Sequence, residues 1–504
     1  MAKEKRFTQK EWSWIMNDWA NSIYATNIMA AIYPTVFTSI CAKGDIWWGY
    51  GTSIATFIIA IMAPFLGAIA DFKGMKKKLF GIFTFIGILT TPLMAILGSW
   101  KIALIGYVFS RIGFAGSNLF YDSFLTDVTT DERMDRVSSW GYAMGYIGGS
   151  TIPFVISIGI LLLYDYSNFA QIFSVLIVSV WWAVFTIPFF KNVKQEHYID
   201  RTEPISARRV LKNVIDTFKA ICARKGLLLF VISYFFYIDG VDTVISISTA
   251  YGSTLGLGTT GMILALMVTQ LVAMPCSIWF AKLAEKYKTR RALVGAVAVY
   301  IVICLLGFYM GYSMEPSQMA YESVLDEAAA PYTEIADAEQ FELYMNKAKA
   351  ALRAEDYAAE YETVVLFENA TAEQQAQEEE LRGILLESAA QNRDLAETFN
   401  NAVSFSTILF WIMAVLVGTV QGGIQAASRS YFGKLVPKER SNEFFGFFDI
   451  FGKFAAVIGP ALYAGLASAT GRSSYGVLGL IVLFTVGLFI LVLGGKELDR
   501  LSEK

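Results

Sequence analysis

The stretch GAIADFKGMKKK, residues 67–78, ends one long apolar run and precedes the next. It places a carboxylate at Asp71, a glycine at Gly74 and three consecutive lysines at 76–78. Basic residues in short loops concentrate on the cytoplasmic side of membrane proteins. The stretch therefore predicts a tight cytoplasmic turn between two membrane-spanning helices.

The composition extends this interpretation to the whole chain. Of its 504 residues, 55% are hydrophobic and 15% are aromatic, and the mean hydropathy is +0.47. A spanning helix needs about 20 mostly apolar residues, because the bilayer core offers no water to unpaired backbone groups. Twelve such runs follow one another, and the loops between them are alternately rich and poor in Lys and Arg. We therefore predict an all-α, multi-pass protein of the cell (plasma) membrane with both termini in the cytoplasm.

Internal similarity divides the twelve spans into two halves. AKLAEKYKTRRA, residues 281–292, is a degraded copy of the opening stretch. Residues 116–118 and 132–133 correspond, at one constant offset, to residues 423–425 and 439–440. Such repeats are typical of transporters that are built from related groups of helices. The sequence therefore predicts two pseudo-symmetric six-helix bundles.

Two polar segments interrupt the spans. The first carries an apolar helical face with basic residues elsewhere, which favours an amphipathic helix at the membrane surface or a helix packed on the bundle. The second contains 20 Asp and Glu against 5 Lys and Arg, and we expect a solvated helical hairpin, with metal collection or partner binding as alternatives. The expected domains are an N-terminal bundle (1–190), a cytoplasmic linker (191–225), the first part of the C-terminal bundle (226–311), an acidic extracytoplasmic insertion (312–400), and the rest of that bundle with a cytoplasmic tail (401–504).

Several motifs resemble those of a known superfamily. The opening stretch is similar to the cytoplasmic loop signature of the major facilitator superfamily. NDWANSIYAT (17–26), the run from Asn118 to Gly149 and EFFGFFDIFGKFAAVIGP (443–460) resemble the vacuolar amino-acid effluxer family and its bacterial relatives. The resemblance implies a secondary transporter whose halves rock about a central cavity lined by the first, fourth, seventh and tenth spans. It does not extend to residues 312–400.

Polar side chains deep in the spans predict the binding site. Each ionisable group at membrane depth costs about 2.5 to 3.5 kcal/mol, so such groups normally face one another or water. For Arg111 we favour contact with a substrate anion, and pairing with Asp239 or Asp242 is the alternative. The residues expected to bind substrate are Arg111, Asn118, Asp122, Asp239, Asp242, Gln425, Arg429 and Asn21.

Other polar residues suit conformational roles. Asp449 and Lys453 lie four positions apart on one helix, and we expect either a structural ion pair or a site for substrate or protons. A carboxylate at a cytoplasmic helix end can bond the positive amino terminus of a neighbouring helix and release it during rocking. The residues expected to act in gating are Asp18, Asp71, Gly74, Lys77 and Asp127.

These observations predict transport of a small polar solute, such as an amino acid, coupled to protons. The alternatives are a lipid or amphiphile transporter of the same fold, and a membrane-tethered receptor that acts through its acidic outer hairpin. The sequence shows no nucleophile with a base, no phosphate loop, four scattered cysteines and one histidine. We therefore expect a monomer in contact with membrane lipids, which is not an enzyme and has no cofactor, no metal site, no disulfide and no nucleic-acid partner.

Overall fold

The computed structural model describes residues 6–41, 44–95, 99–164, 167–200, 207–367 and 371–502. These residues form helices and connecting turns, with one isolated bridge between Phe72 and Ile199. The α-helices are α1 (Gln9–Ile23), α2 (Tyr33–Ile40), α3 (Gly44–Ala70), α4 (Met75–Thr90), α5 (Trp100–Ser123), α6 (Leu125–Val128), α7 (Asp131–Met144), α8 (Ile152–Leu163), α9 (Asn168–Asn192), α10 (Ala207–Ala223), α11 (Lys225–Thr254), α12 (Thr259–Tyr287), α13 (Thr289–Ala329), α14 (Ala338–Arg353), α15 (Tyr357–Glu362), α16 (Ala372–Gln391), α17 (Arg393–Leu435), α18 (Ser441–Thr470), α19 (Ser473–Leu493) and α20 (Gly495–Ser502).

The number of passes agrees with the sequence. Within the described ranges, eleven helical segments are long and apolar enough to cross a membrane. The first pass is less regular, because a π-helical segment, Tyr24–Ala31, separates α1 from α2 and the pass carries several polar residues. With that pass included, the structure agrees with the predicted all-helical, multi-pass architecture of about twelve spans.

The start of α1 and the helix α20, the first and last helices described, lie on the same face of the bundle. Glu11 near the start of α1 accepts hydrogen bonds from Arg133 at the start of α7. At the other end of the chain, Asp499 of α20 pairs with Arg290 at the start of α13, with Nε and Oδ1 2.8 Å apart. We name this side the terminal face and the opposite side the insertion face. We refer to α1–α9 as the N half and to α11–α20 as the C half.

The linker helix α10 is amphipathic. It buries Val210, Thr217 and Ile221 against the bundle, where it contacts α3, α11 and α18. Leu211 and Phe218 belong to an apolar stripe on its exposed side. The helix therefore packs on the bundle through one side and still presents apolar residues to its surroundings.

The insertion grows out of two transmembrane helices without a break. α13 continues past residue 311 to Ala329, and α17 begins at Arg393, so the expected limits 312 and 400 lie inside continuous helices. α14 and α16 correspond to the two predicted helices, although α15 and a turn follow α14. The predicted break at 368–371 falls mostly outside the described residues. Continuous apolar packing along both helices, including the buried Leu325, explains why they extend beyond the apolar runs.

Candidate functional site

A cavity of about 650 Å³ lies between the two halves. Its walls come from α3 and α5 of the N half and from α11 and α18 of the C half, with Met29 of the first pass. Its polar lining residues are Thr52, Ser53, Thr56, Arg111, Asn118, Asp122, Tyr234, Asp242, Asp449 and Lys453. Phe57, Phe114, Phe445 and Phe448 add an aromatic surface. A volume of this size is typical of small-molecule sites, which range over about 300 to 1,000 Å³.

Arg111 stands on the N-half wall of this cavity. Its Nη1 donates to the hydroxyl of Tyr107 at 3.1 Å, and its Nη2 approaches Thr56 Oγ1 at 3.5 Å. Among the residues described, no carboxylate pairs with it. The alternative pairing with Asp239 or Asp242 is therefore absent from this conformation, and the guanidinium keeps donors available for a ligand.

The C-half wall carries carboxylates. Asp242 of α11 lines the cavity and forms no ion pair within the described ranges. Asp449 and Lys453 of α18 pair directly with each other, as their spacing predicts, and both line the cavity. The cavity thus places an unpaired cation on one wall and an unpaired carboxylate on the other.

An amide pair connects the first pass to this cavity. Asn21 of α1 donates through Nδ2 to Asn118 Oδ1 at 2.6 Å. Asn118 lines the cavity, whereas Asn21 is buried behind it. Asn21 therefore orients a cavity residue in this conformation and does not itself line the cavity.

Arg429 of α17 closes the cavity on the side of the terminal face. Its Nη1 donates to Asp122 Oδ1 at 2.8 Å and its Nη2 to Asp18 Oδ2 at 3.4 Å, and both acceptors belong to the N half. Ser138 accepts through Oγ at 3.0 Å and through its carbonyl at 3.1 Å. We name this group of Arg429, Asp18, Asp122 and Ser138 the inner latch.

Aromatic rings complete the inner latch. The Arg429 guanidinium lies 4.6 Å from the ring centroid of Trp14 and 4.5 Å from that of Tyr142. Tyr121 donates to Asp18 Oδ2 at 2.8 Å. Rings beside a cation partly replace its lost hydration. Arg429 was expected to contact substrate, but here it is buried by the groups that hold the two halves together.

A second layer of contacts joins the halves at the terminal face. Asp71 Oδ1 accepts from the backbone N–H and the Nδ2 of Asn442 at 2.9 and 2.7 Å, and Oδ2 accepts from the N–H of Glu443 at 3.1 Å. These donors form the amino terminus of α18, which is the helix-end contact that the sequence predicts for a gating carboxylate. Burial raises the pKa of the Asp71 carboxyl to about 7.

Glycines permit this second layer to form. Gly74 precedes α4 with φ of +75°, a conformation that other residues rarely adopt. A Cβ at Gly67 would collide with the backbone carbonyl of Asn442. The tight turn after α3 and the close approach of α3 to α18 therefore both depend on glycine.

The lysine in this layer is Lys76, not Lys77. Lys76 is fully buried, donates to Asp127 Oδ2 at 2.6 Å and reaches Ser441 Oγ at 3.1 Å. Lys77 instead donates to the carbonyls of Phe190 and Val193 at the end of α9, within the N half. One residue of helix turns a side chain by about 100°, so neighbouring lysines face different partners. We name Asp71, Lys76, Asp127 and residues 441–443 the outer latch.

Asp127 also ties the linker to the outer latch. Its Oδ1 accepts from the backbone N–H groups of Glu196 and His197 at 3.0 and 2.8 Å. Another ion pair joins the two halves, and the sequence analysis did not predict it. Asp135 of α7 accepts from Lys434 at 2.6 Å and from Ser430 at 2.5 Å. Its position near the end of a span resembles that of ordinary loop residues, so the sequence offered no signal for this pair.

Besides Asn21 and Arg429, two more of the predicted substrate-binding residues do not line the cavity. Asp239 of α11 is completely buried beside α18, and Gln425 of α17 is not among the lining residues. Of the expected first, fourth, seventh and tenth spans, the fourth and seventh line the cavity, and the first contributes only Met29. The second and eleventh spans, α3 and α18, supply the remaining walls. The first and tenth spans place their charged groups in the inner latch instead, which removes those groups from the cavity surface.

A separate apolar cavity of about 100 Å³ lies within the C half. Ile247, Met413 and Leu480 are among its lining residues. An apolar cavity of about 150 Å³ stays dry and binds a molecule of the size of benzene. This cavity is therefore too small for an amphiphile, and it does not favour the lipid-transporter alternative.

The sequence has relatives over nearly its whole length. Residues 48–321 and 405–497 match the model of a family described as "Vacuole effluxer Atg22 like". YxiO of Bacillus subtilis (strain 168), described as an uncharacterized MFS-type transporter, is 38% identical over 508 residues, covering 98% of this chain and 96% of that protein. Autophagy-related protein 22 of Yarrowia lipolytica is 21% identical over 398 residues, covering 73% of this chain and 52% of that protein.

Solved structures share the architecture. The major facilitator transporter FucP in its outward conformation matches with a TM-score of 0.56 and 11% identity, over 96% of this chain and 98% of that chain. A bacterial homologue of the iron transporter ferroportin, in an outward-facing state, matches with a TM-score of 0.54 and 12% identity, over 98% and 99%. At such identities these matches show the fold alone. Together with the family match and the bacterial relative, they establish that this chain belongs to the Atg22-like family of major facilitator transporters.

Proposed function

We propose that the chain is a secondary active transporter that moves a small polar solute, an amino acid or a similar zwitterion, by rocking-type alternating access. The observation that carries this proposal is the central cavity, with unpaired Arg111 on one wall and unpaired Asp242 on the other. A zwitterion needs a cationic partner for its carboxylate and an anionic partner for its amine. Opposite walls that belong to different halves supply both partners.

The two latches support the rocking motion. They join the halves on the terminal face, while the cavity lies on the other side of the inner latch. Asp122 belongs to both the inner latch and the cavity lining, so a ligand there can compete for Arg429. We place the protein in the cell membrane with its terminal face in the cytoplasm, as the basic loops favour. The structure then represents a state closed toward the cytoplasm.

A thermal-stability screen of the purified protein tests the substrate class. Amino acids, peptides, sugars and nucleotides are compared, because a ligand that binds the native state raises its melting temperature. Amino acids that stabilise the protein are then assayed for uptake into proteoliposomes. The proposal expects stabilisation by at least one amino acid and gradient-driven uptake of it.

Two variants connect that activity to the cavity. Arg111→Gln and Asp242→Asn each remove one charge that faces the ligand, and we expect each to weaken binding by about 2 kcal/mol, roughly thirtyfold. Lys101→Gln is the matched control, because Lys101 is exposed near the start of the same helix as Arg111. Uptake by both cavity variants at the rate of the control would contradict the proposed site.

A further inference from the structure

Asp239 is a buried carboxylate without an ionic partner. It lies near the middle of α11, is fully buried, and forms no ion pair within the part of the chain that the structure describes. Its Oδ1 accepts from the backbone N–H of Gly459 at 2.9 Å, while Oδ2 is buried and accepts no well-formed hydrogen bond from the residues that the structure describes. A lone buried carboxylate is costly as an anion. The site therefore calls for a bound cation.

Thr243, one turn further along α11, completes the site. Its buried Oγ1 lies beside the Asp239 carboxyl and forms no hydrogen bond to any other group of the described residues. A Cβ at Gly459 would collide with Thr243 Oγ1 and would lie 2.8 Å from Asp239 Oδ1, so both side chains converge on this glycine. Pro460 follows within α18, and it cannot donate to the carbonyl one turn earlier. Carboxylate and hydroxyl oxygens thus meet beside a weakened helix, an arrangement that transporters use for coupling ions.

The charged groups around Asp239 leave it uncompensated. On its own helix the neighbour is Asp242, another carboxylate, three residues on and at the cavity surface. From α18 the nearest charged residues are Asp449 and Lys453, which pair with each other. α19 packs on α11 through Phe484 against Gly240 and contains no Asp, Glu, Lys, Arg or His. Asp242 lines the cavity, so the buried site lies within one helical turn of the cavity surface.

We propose that Asp239 and Thr243 form the binding site of a monovalent cation, H⁺ or Na⁺, distinct from the substrate cavity. A cation on Asp239 weakens the bond to Gly459 and loosens α18 at its proline. The opposite end of α18 is the segment that Asp71 holds, so the site acts on the outer latch through one helix. The role in driving transport depends on the proposed function, whereas the cation site itself does not.

Infrared spectra of the purified protein test the site without any substrate. At pH 7 in choline chloride, we expect a carbonyl-stretching band of a protonated carboxylic acid, part of which Asp239→Asn removes. If the cation is H⁺, NaCl leaves that part unchanged. If it is Na⁺, NaCl in place of choline chloride abolishes it and raises the melting temperature. Both outcomes support the site. The site would be overturned if wild type and Asp239→Asn showed the same carbonyl band and the same change in melting temperature with NaCl.

Thr243 variants keep the test informative if Asp239→Asn fails to fold. Thr243→Val removes the hydroxyl. We expect this variant to reduce the affinity of the Asp239 site for its cation about tenfold, which is the effect of one lost hydrogen bond. Thr243→Ser retains the hydroxyl and should preserve the affinity. Equal affinities in the valine and serine variants would exclude Thr243 from the site. Failure of amino-acid uptake, with the spectra as expected, would overturn the proposed function and leave the cation site standing.

Discussion

Arg429 both joins the two halves and pairs with a carboxylate of the cavity lining, and its position in the sequence does not reveal these two roles. Its guanidinium is almost completely buried, spans the two halves through Asp18 and Asp122, and lies over the rings of Trp14 and Tyr142. Two carboxylates and two aromatic faces compensate a cation that would otherwise be costly at this depth. The same carboxylates lose their compensation when the halves separate. Arg429 therefore links the closing of the terminal face to the charge of Asp122, which lines the cavity.

Arg429→Gln should open the terminal face. Removing one partner of a buried ion pair costs about 3–5 kcal/mol, because it leaves the other charge uncompensated. Spin labels on cysteines introduced at Lys78 and Glu439, both exposed, report the distance between the halves in a Cys222→Ser background. We expect a larger population of long distances. Arg290→Gln, which breaks a pair within the C half, should leave the distribution unchanged.

We expect Asp71 to make the outer latch sensitive to pH. Burial raises its pKa from 3.8 to about 7 in the latched state, and water returns it toward 3.8 when the latch opens. The latched state then binds a proton more tightly, so acid favours it and its population falls as the pH rises from about 4 to about 7. The same pair of spin labels measures this trend. Asp71→Asn, which cannot titrate, should abolish it, and a trend of opposite sign would contradict the assignment.

At the scale of elements, α18 receives a contact from a carboxylate at two points. Asp71 holds its amino terminus from the N half, and Asp239 holds its backbone at Gly459 from within the C half. The motif at 67–78 predicted the first contact, because a helix-end carboxylate has a generic partner in a helix amino terminus. The second could not be predicted, since spacing on α11 shows only that Asp239 and Asp242 share a face. Which of the two faces water depends on how α18 packs.

The same limit explains the assignment of the lysines in the turn. The sequence identified a basic turn after α3. Which lysine faces the other half depends on how α4 is rotated about its own axis where it begins after Gly74. Lys76 faces inward and Lys77 faces the end of α9. Likewise, the polar stripes of the first and tenth spans were recognisable, whereas their use in the inner latch depends on the tertiary arrangement of the halves. The sequence therefore predicted the spans and the polar stripes, and packing decided the partners.

The linker helix α10 should lie in the membrane interface. Leu211, Ile215, Phe218 and Cys222 form one exposed apolar stripe, and Arg208, Lys212 and Lys219 run along its edge, where they can reach lipid phosphates. An environment-sensitive fluorophore on native Cys222 should report an apolar surrounding in nanodiscs that contain anionic lipid. A label at Asp216→Cys in a Cys222→Ser background, about 120° away on the helix, should report water. Equal spectra at the two positions would exclude interfacial docking.

At the scale of the whole molecule, the insertion behaves as part of the C half. It is carried on α13 and α17, and Arg353 donates to the carbonyl of Gly256 in the turn between α11 and α12 at 2.7 Å. Within it, Tyr344 and Tyr361 share a buried hydrogen bond, and Leu381 and Leu385 are fully buried. The insertion thus has its own small core and is attached to the C half alone through the helices that carry it. Its exposed face carries acidic residues such as Glu373 and Glu379, which favour contact with water.

A deletion distinguishes the transporter hypothesis from the receptor hypothesis. Residues 333–392 are removed and the ends are joined by a short glycine-serine linker. The deletion removes α14–α16. It leaves α13 and α17 packed against each other, because Tyr321 of α13 contacts Phe399 of α17 below the deleted segment. We expect uptake to persist because both latches and the cavity lie elsewhere. The melting temperature should fall because α13 loses the apolar packing that α16 provides, about 1.5–3 kcal/mol.

A charge variant completes this comparison without deleting any packing. Glu373, Glu379, Glu380 and Glu387 are exposed on α16, and their replacement by Gln removes four negative charges while the buried core of the insertion stays intact. Surface changes of this kind usually alter stability by less than about 0.5 kcal/mol. A transporter should retain its uptake in this variant and in the deletion. Loss of all activity in both, with normal folding of the charge variant, would instead assign the function to the acidic face.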